Sequence, residues 1–312
     1  MKLSFQNTDR SLFFKSPKQH DTRLGELVKP LSPKNFKTLP NETVIVGYPD
    51  DEGVQRNYGR IGASHAPEKI REYLYKLAAS DTTRPFYDCG DFKFTESLEN
   101  KQSQLKSELH QIYKQKTKIV SLGGGNDYAY PDVAAFLKTH GTKNSVVVHI
   151  DAHFDMRPTD KGVNSGTPLL QCYEEFSRFN LWAIGIQQCA NTSYFFNQAQ
   201  KLKVKVKTFE DSQGQLKNIF SKISAKRIPA FLAIDMDAFS DCYAPGVSAP
   251  QSVGLDANEF YLALPTLFKK LDVRGMGIYE TNPAKDIDDK TSRLAARFVY
   301  SFLNQSVLGK KK

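Results

Sequence analysis

From residue 41 onward, short apolar runs alternate with longer amphipathic segments. The runs are Thr43–Gly47, Phe86–Cys89, Lys118–Leu122, Ser145–Ile150, Leu181–Ile186, Val204–Thr208, Ala230–Ile234 and Val273–Ile278. Short stretches rich in Val and Ile and bounded by turn residues predict buried strands. The segments Pro67–Leu77, Ser97–Tyr113, Pro131–His140, Pro168–Phe176, Ser193–Ala199, Leu216–Ala225, Asp256–Leu271 and Lys290–Leu303 predict helices. Pro67, Pro131 and Asp256 suit helix starts, where a missing amide or a capping carboxylate is tolerated. Strands that are continuously apolar and separated by helices indicate a parallel sheet covered on both faces. The pattern therefore predicts one α/β/α domain over residues 41–312, with an eight-stranded sheet. Residues 1–40 are polar, contain Pro30, Pro33 and Pro40, and read as an irregular N-terminal arm. No internal repeat is visible.

Composition changes little in this picture. The chain has 312 residues, 40% hydrophobic and 25% charged, which fits a folded domain that needs no covalent staples. Lys and Arg number 43 against 34 Asp and Glu, a net charge of +9. Part of the excess is the Lys310–Lys312 tail. Another part is Lys201, Lys203, Lys205 and Lys207, which alternate with apolar residues as the polar face of a half-exposed strand. No basic helix and no Arg/aromatic signature accompanies them, so a nucleic-acid partner is not expected. The apolar runs are too short to span a bilayer, and no membrane partner is expected. The first residues carry no apolar signal core, which points to a cytoplasmic chain. Cys89, Cys172, Cys189 and Cys242 are scattered, which argues against a thiolate zinc site. A long-range disulfide is left open.

Candidate chemistry lies after the predicted strands. In an open parallel sheet, ligands bind beyond the carboxyl ends of the strands. Lys118–Leu122 is followed by Gly123-Gly124-Gly125-Asn126-Asp127, and Ser145–Ile150 by Asp151-Ala152-His153-Phe154-Asp155-Met156-Arg157. Ala230–Ile234 is followed by Asp235-Met236-Asp237, and Val273–Ile278 by Tyr279-Glu280-Thr281-Asn282-Pro283. Residues two apart in an extended segment point the same way, so Asp151, His153 and Asp155 can converge, as can Asp235 and Asp237. Carboxylates gathered this closely repel one another unless a cation sits among them. Four carboxylates and one imidazole exceed the needs of one ion and suit two that share bridging ligands. Oxygen-rich ligation favours Mn²⁺ over Zn²⁺, Fe²⁺ or Co²⁺. Such a pair holds a bridging hydroxide that attacks an electrophilic carbon. The glycines lack the Lys-Ser/Thr of a phosphate loop, which excludes nucleotide binding there.

These motifs resemble the ureohydrolase family, the group of arginase, agmatinase and formimidoylglutamase. The family pattern comprises GGxH, DAHxD, a DxD leading to Pro-Gly and Ser-Ala-Pro, and a late Glu before Asn-Pro. Here the last two elements are Asp235-x-Asp237 leading to Ala244–Pro250, and Glu280-Thr281-Asn282-Pro283. The resemblance covers nearly the whole chain and implies a three-layer α/β/α arginase-like fold. Within the family the chain looks most like the formimidoylglutamase branch, through Asp21–Gly25, Asn57–Ala63, Asp151–Arg157, Ser165–Pro168 and Gly185–Gln187. Arginases typically place Asn where Arg157 stands. Three features depart from the common pattern: Asn126 replaces a His, Ser165 lies near where other branches carry a His, and Phe239–Tyr243 is a longer segment.

The resemblance implies two Mn²⁺ per subunit. One would take Asn126, Asp151, Asp155 and Asp235, and the other Asp151, His153, Asp235 and Asp237. It implies hydrolysis of N-formimidoyl-L-glutamate to L-glutamate and formamide, a step of histidine degradation, by a homo-oligomer. Asp155 would carry the proton and Glu280 would orient the cationic formimidoyl group. A small anionic amino-acid derivative needs cations to bind its carboxylates. Arg60 and Arg157 are the candidates, each with a structural ion pair as the alternative. Gln187 and Asn191 offer neutral hydrogen bonds or ordinary caps, and Tyr243 lines the pocket or packs in the core. His149 reads as a core histidine that shares a face with Asp151. Two other functions stay open: another ureohydrolase (agmatinase, guanidinobutyrase or arginase-like), or a degenerate family member without activity, which Asn126 and Ser165 motivate.

Overall fold

The computed structural model describes residues 4–31, 41–81, 83–93 and 96–305. The Lys310–Lys312 tail, Pro33 and Pro40 lie outside the described residues. The strands are β1 (Ser4–Gln6), β2 (Val28–Pro30), β3 (Thr43–Tyr48), β4 (Phe86–Lys93) and β5 (Lys118–Gly123). They continue with β6 (Val146–Ile150), β7 (Leu181–Ile186), β8 (Lys205–Thr208), β9 (Pro229–Asp235) and β10 (Asp272–Tyr279). The helices are α1 (Leu24–Leu27), α2 (Glu52–Arg56), α3 (Ala66–Leu74), α4 (Leu98–Tyr113), α5 (Ala129–His140) and α6 (Pro168–Phe176). After them come α7 (Ser193–Lys201), α8 (Phe209–Ser212), α9 (Leu216–Lys222), α10 (Ala257–Lys270) and α11 (Lys290–Leu303).

The strands form one sheet in the order β1-β4-β3-β5-β10-β9-β6-β7-β8, with β2 also paired to β4. Every pairing is parallel except β1 with β4. The eight predicted runs all become strands. The N-terminal arm departs from expectation, because β1 and β2 lie end to end along the outer edge of β4. Strands of three residues are too short to show a period, so only the waiting edge of β4 reveals them.

Successive strand residues face opposite layers. Ile45, Val148 and Ile150 pack with Ile70 of α3, Phe220 of α9, Phe260 of α10 and Phe298 of α11. Val44, Val46 and Val147 pack with Leu105 of α4, Phe136 of α5, Leu169 of α6 and Ala199 of α7. Both faces are thus covered, which is why the strands lack polar alternation. Edge strand β8 is the exception: Lys205 is exposed and lays its ammonium over the Trp182 ring. Helix starts follow the sequence signals. Asp256 caps α10 through Glu259 N–H at 2.8 Å, and Pro168 opens α6. All four cysteines are unpaired.

The topology decides the site. β9 and β10, last in the chain, insert between β5 and β6. The strands that precede Asn126, Glu280, Asp235 and Asp151 thereby become consecutive neighbours at the centre of the sheet.

Candidate metal centre

Backbone crowding sets the β5 end. A side chain on Gly123 would collide with the Ile278 carbonyl, and one on Gly124 with the Asp50 carbonyl. Only glycine lets these backbones approach so closely. Asn126 follows, buried, and its N–H donates to Glu280 Oε1 at 2.6 Å. Its side-chain amide donates to Asp155 and, at 3.3 Å, to Asp151. Its Oδ1 is buried without a hydrogen-bond partner among the described residues.

The chain leaves β6 at Ile150 and coils back on itself. Asp151 is fully buried and accepts the His153 N–H at 2.6 Å. His153 Nδ1 lies 3.4 Å from Asp151 and 3.2 Å from Asp237. His149 Nε2 stands 3.1 Å from the other Asp151 oxygen, so the two do share a face. Asp155 takes a left-handed backbone, with φ +50°. This turn brings its carboxylate to Asn126. The loop is tied down by Asn191, whose amide donates to Ala152 O at 2.8 Å and accepts from Phe154 N–H at 3.1 Å.

From β9, Asp235 accepts the Asp237 N–H at 2.8 Å and so turns both carboxylates to the same side. From β10, Glu280 is buried with φ +63°. Its carboxylate accepts from Asn126 N–H and from the Ser248 hydroxyl.

Negative charge exceeds what the chain neutralises here. Burial, then repulsion from neighbouring carboxylates, pushes Asp155 and Asp235 well above the usual carboxylate range. Asp237 also rises through burial, although His153 opposes the shift. Burial takes Glu280 up to about 7 against the hydrogen bonds from Ser248 and Asn126. Asp151 moves the other way: burial would raise it, but His149 and His153 outweigh that and hold it low. Burial would likewise lower His153, but Asp237 and Asp151 outweigh it and hold the imidazole well above its ordinary value.

The donor set fits divalent cations. His149, Asp151 and Asp155 offer ligand atoms within 4.8 Å of one another, and so do Asp151, His153 and Asp237. The two groups share Asp151. Asn126 Oδ1 and Asp237 Oδ1 are buried and unpartnered among the described residues, which is costly unless something positive satisfies them. His149, read from the sequence as a core histidine on the Asp151 face, belongs to the first of these groups.

A cavity of about 220 Å³ opens over Asp155, Asp235, Asp237 and Glu280. Of the five residues considered for substrate, it brings Arg157 and Asn191 to the wall. Arg157 is exposed at the mouth, and its stem lies over Gly166, where any side chain would meet it. Among the described residues its guanidinium makes no ion pair.

The other candidates make structural hydrogen bonds. Arg60 does not line the cavity: its guanidinium donates to the carbonyls of Val247 and Pro245, at 3.0 Å from Nε and from Nη2 respectively. Gln187 donates to Val253 O at 2.7 Å. Tyr243 donates to Asp256 at 2.8 Å, beside the start of α10. Asn191 reaches the wall, but its amide is spent on the 151–155 loop. Motif membership places a residue near the site, whereas the direction of the side chain depends on contacts distant in sequence. Asn57, Tyr58, Phe195 and Ser248 line the cavity without having been singled out individually. Ser248 lies in the Ser-Ala-Pro motif, the one local signal that could have found it.

Comparison with known proteins agrees with this geometry. The arginase family model matches residues 41–304. Formimidoylglutamase of Legionella pneumophila is 33% identical over 278 residues, covering 86% of both chains. The crystal structure of Trypanosoma cruzi formiminoglutamase with Mn²⁺ superposes with a TM-score of 0.81 at 26% identity, covering 92% of this chain and 98% of that one. Bacillus subtilis formimidoylglutamase has a TM-score of 0.83 at 24% identity, covers 95% of this chain and 96% of that one, and speaks to the fold alone. The chain belongs to the arginase family.

Proposed function

We propose that this protein hydrolyses N-formimidoyl-L-glutamate to L-glutamate and formamide with two Mn²⁺ ions. The observation that carries the reading is the polarity of the cavity. Its floor is carboxylate, and its mouth holds Arg157, a cation without an ion-pair partner among the described residues. The substrate has the reverse polarity, with a cationic amidine at one end and carboxylates at the other. The names of the curated relatives support the same assignment.

Asp151, His153, Asp155, Asp235 and Asp237, with the Asn126 oxygen, are the residues that would hold the ions. His149 would steady Asp151 from behind. When bound, the ions activate water as the nucleophile at neutral pH. The chain supplies the rest. Arg157 pairs with substrate carboxylate through its fork of N–H donors. Glu280, already fixed by Asn126 N–H and the Ser248 hydroxyl, accepts from the amidinium nitrogens and aims the electrophilic carbon. Asp155 takes the proton released by the attacking water and delivers it to the departing amine of glutamate. The chain would act in the cytoplasm as a homo-oligomer; family resemblance supports the assembly, and light scattering measures it.

The test is a Mn²⁺-supplemented assay with formimidoylglutamate, arginine and agmatine side by side. Formamide from the first and no urea from the others is expected. Turnover of agmatine without formimidoylglutamate would replace this reading by agmatinase, and no turnover at full Mn²⁺ loading would favour a degenerate family member.

A further inference from the structure

A second buried carboxylate network lies inside the layer beneath the metal centre. Asp132 sits in the first turn of α5 and is fully buried. Three hydroxyls, one from each of three adjacent strands, donate to it. Tyr48 of β3 and Ser121 of β5 reach Oδ1 at 2.8 and 2.7 Å. Tyr279 of β10 reaches Oδ2 at 2.6 Å. The Tyr48 and Ser121 hydroxyl oxygens lie 2.9 Å apart. Burial raises the Asp132 carboxyl to about 7 even against these three donors.

Tyr279 is the residue before Glu280. Its ring folds back along β10, and its hydroxyl fills the space that a side chain on Gly277 would need. Glu280 itself holds a left-handed backbone, φ +63°, which a side-chain-bearing residue adopts at a cost. Such a conformation persists only where the surroundings overdetermine it. Here they form a closed ring. The Glu280 carboxylate bonds Asn126 N–H, the chain runs from Asn126 into α5 to Asp132, and Asp132 bonds Tyr279, which is covalently joined to Glu280.

We propose that Asp132 is a positioning residue: through Tyr279 it holds Glu280 in the backbone conformation that aims its carboxylate into the cavity. This rests on the role given to Glu280 above. Tyr48 supplies an internal control. It makes the same kind of bond to the same carboxylate, yet β3 delivers none of the proposed ligands, nor Glu280, and Tyr48 lies outside the ring.

The experiment compares Tyr279→Phe with Tyr48→Phe in the Mn²⁺-loaded enzyme, reading kcat, KM, bound Mn²⁺ and the thermal midpoint. Each variant loses one buried hydroxyl, so their midpoints should fall by similar amounts. Tyr279→Phe should lower kcat about tenfold with KM and Mn²⁺ content unchanged, because a small misplacement of an orienting group costs rate. Tyr48→Phe should keep kcat within about twofold, a control that bears on positioning alone. Asp132→Asn, where it folds, should reproduce the Tyr279→Phe split. Equal losses of kcat in the two tyrosine variants, or none in either, would overturn the proposal and leave Asp132 a purely structural hub. Full turnover in Glu280→Gln would instead overturn the role of Glu280 on which it rests.

Discussion

Two groups of buried carboxylates meet the same electrostatic problem in opposite ways. On β4, Asp88 is held by Arg71, which donates to both of its oxygens at 2.9 and 3.1 Å. Arg71 also donates to Asp91 at 2.6 Å. Thr8, Tyr75 and the Gly90 N–H complete the shell of Asp88. At the ends of β6 and β9, Asp151, Asp155, Asp235 and Asp237 have two imidazoles, one side-chain amide and two backbone N–H groups among the described residues, and no Arg or Lys. The first group is neutralised from within the chain. The second keeps an excess of negative charge and orphaned oxygens. A buried carboxylate that finds no cation takes up a proton instead, and the raised pKa values of Asp155 and Asp235 show that tendency. The contrast separates a structural ion pair, which needs nothing further, from a site built for an external cation.

The largest effect should come from breaking the incomplete group. Asp237→Ala or Asp155→Ala should reduce formimidoylglutamate hydrolysis to background and remove bound Mn²⁺ together, as read by metal analysis of the purified variant. Full turnover in either would refute the metal-site reading. Breaking the complete group should do the reverse. Arg71→Met leaves Asp88 buried without its cation and should cost about 3–5 kcal/mol in denaturant unfolding. The folded fraction should still bind the same amount of Mn²⁺; its loss would mean that the two groups are coupled.

A smaller effect sets the paired arginine against the free one. Arg157→Ala removes a cation that holds no structural ion pair among the described residues. Thermal stability and Mn²⁺ content should stay unchanged, while KM for formimidoylglutamate should rise about tenfold. A rise in KM for agmatine of the same size would argue against Arg157 as a carboxylate ligand.

The mildest test is pH. Asp155, Asp235 and Glu280 have folded pKa values above their unfolded ones, so the folded metal-free protein keeps protons that the unfolded chain releases. Its stability from these groups falls as pH rises from the ordinary carboxylate range toward the raised values. His153 is also raised, and its contribution is likewise lost as pH rises through the folded value. Asp151 is lowered, so its contribution is complete throughout neutral pH and lost only in acid. Mn²⁺ displaces the protons of Asp155, Asp235 and His153. The gap in thermal midpoint between Mn²⁺-loaded and metal-free protein should therefore widen from pH 6 to pH 8. A gap that narrows would show that protons and metal do not compete for these groups.

Much of the fold was legible in the chain. A short Val- and Ile-rich run such as Val146–Ile150 predicts a strand buried on both faces, and the polar residues after it fall at the carboxyl end of a parallel sheet. That local rule, with the spacing of Asp151, His153 and Asp155, was enough to nominate these three as candidate ligands. The arrangement of Arg71 was not legible. It lies in a short helix among Glu and Lys, with the appearance of a surface residue, and its partners come from β4. The split between Arg60 and Arg157 was equally hidden. Both stand in loops outside the helices and strands, yet one is consumed by the carbonyls of Val247 and Pro245 and the other stays at the cavity mouth.

The sequence by itself determined what depends on neighbours along the chain: strand against helix, the glycine turns, and the acidic character of the strand ends. The tertiary structure decided what depends on residues on different elements, some of them more than a hundred positions apart. Insertion of β9 and β10 between β5 and β6 made four strand ends adjacent. The same insertion brought Tyr279 to Asp132, and Glu280 to Asn126. The physical reason is range. Backbone sterics and burial period act within a few residues, whereas a hydrogen bond or an ion pair is set by whichever group the folded chain brings within about 3 Å.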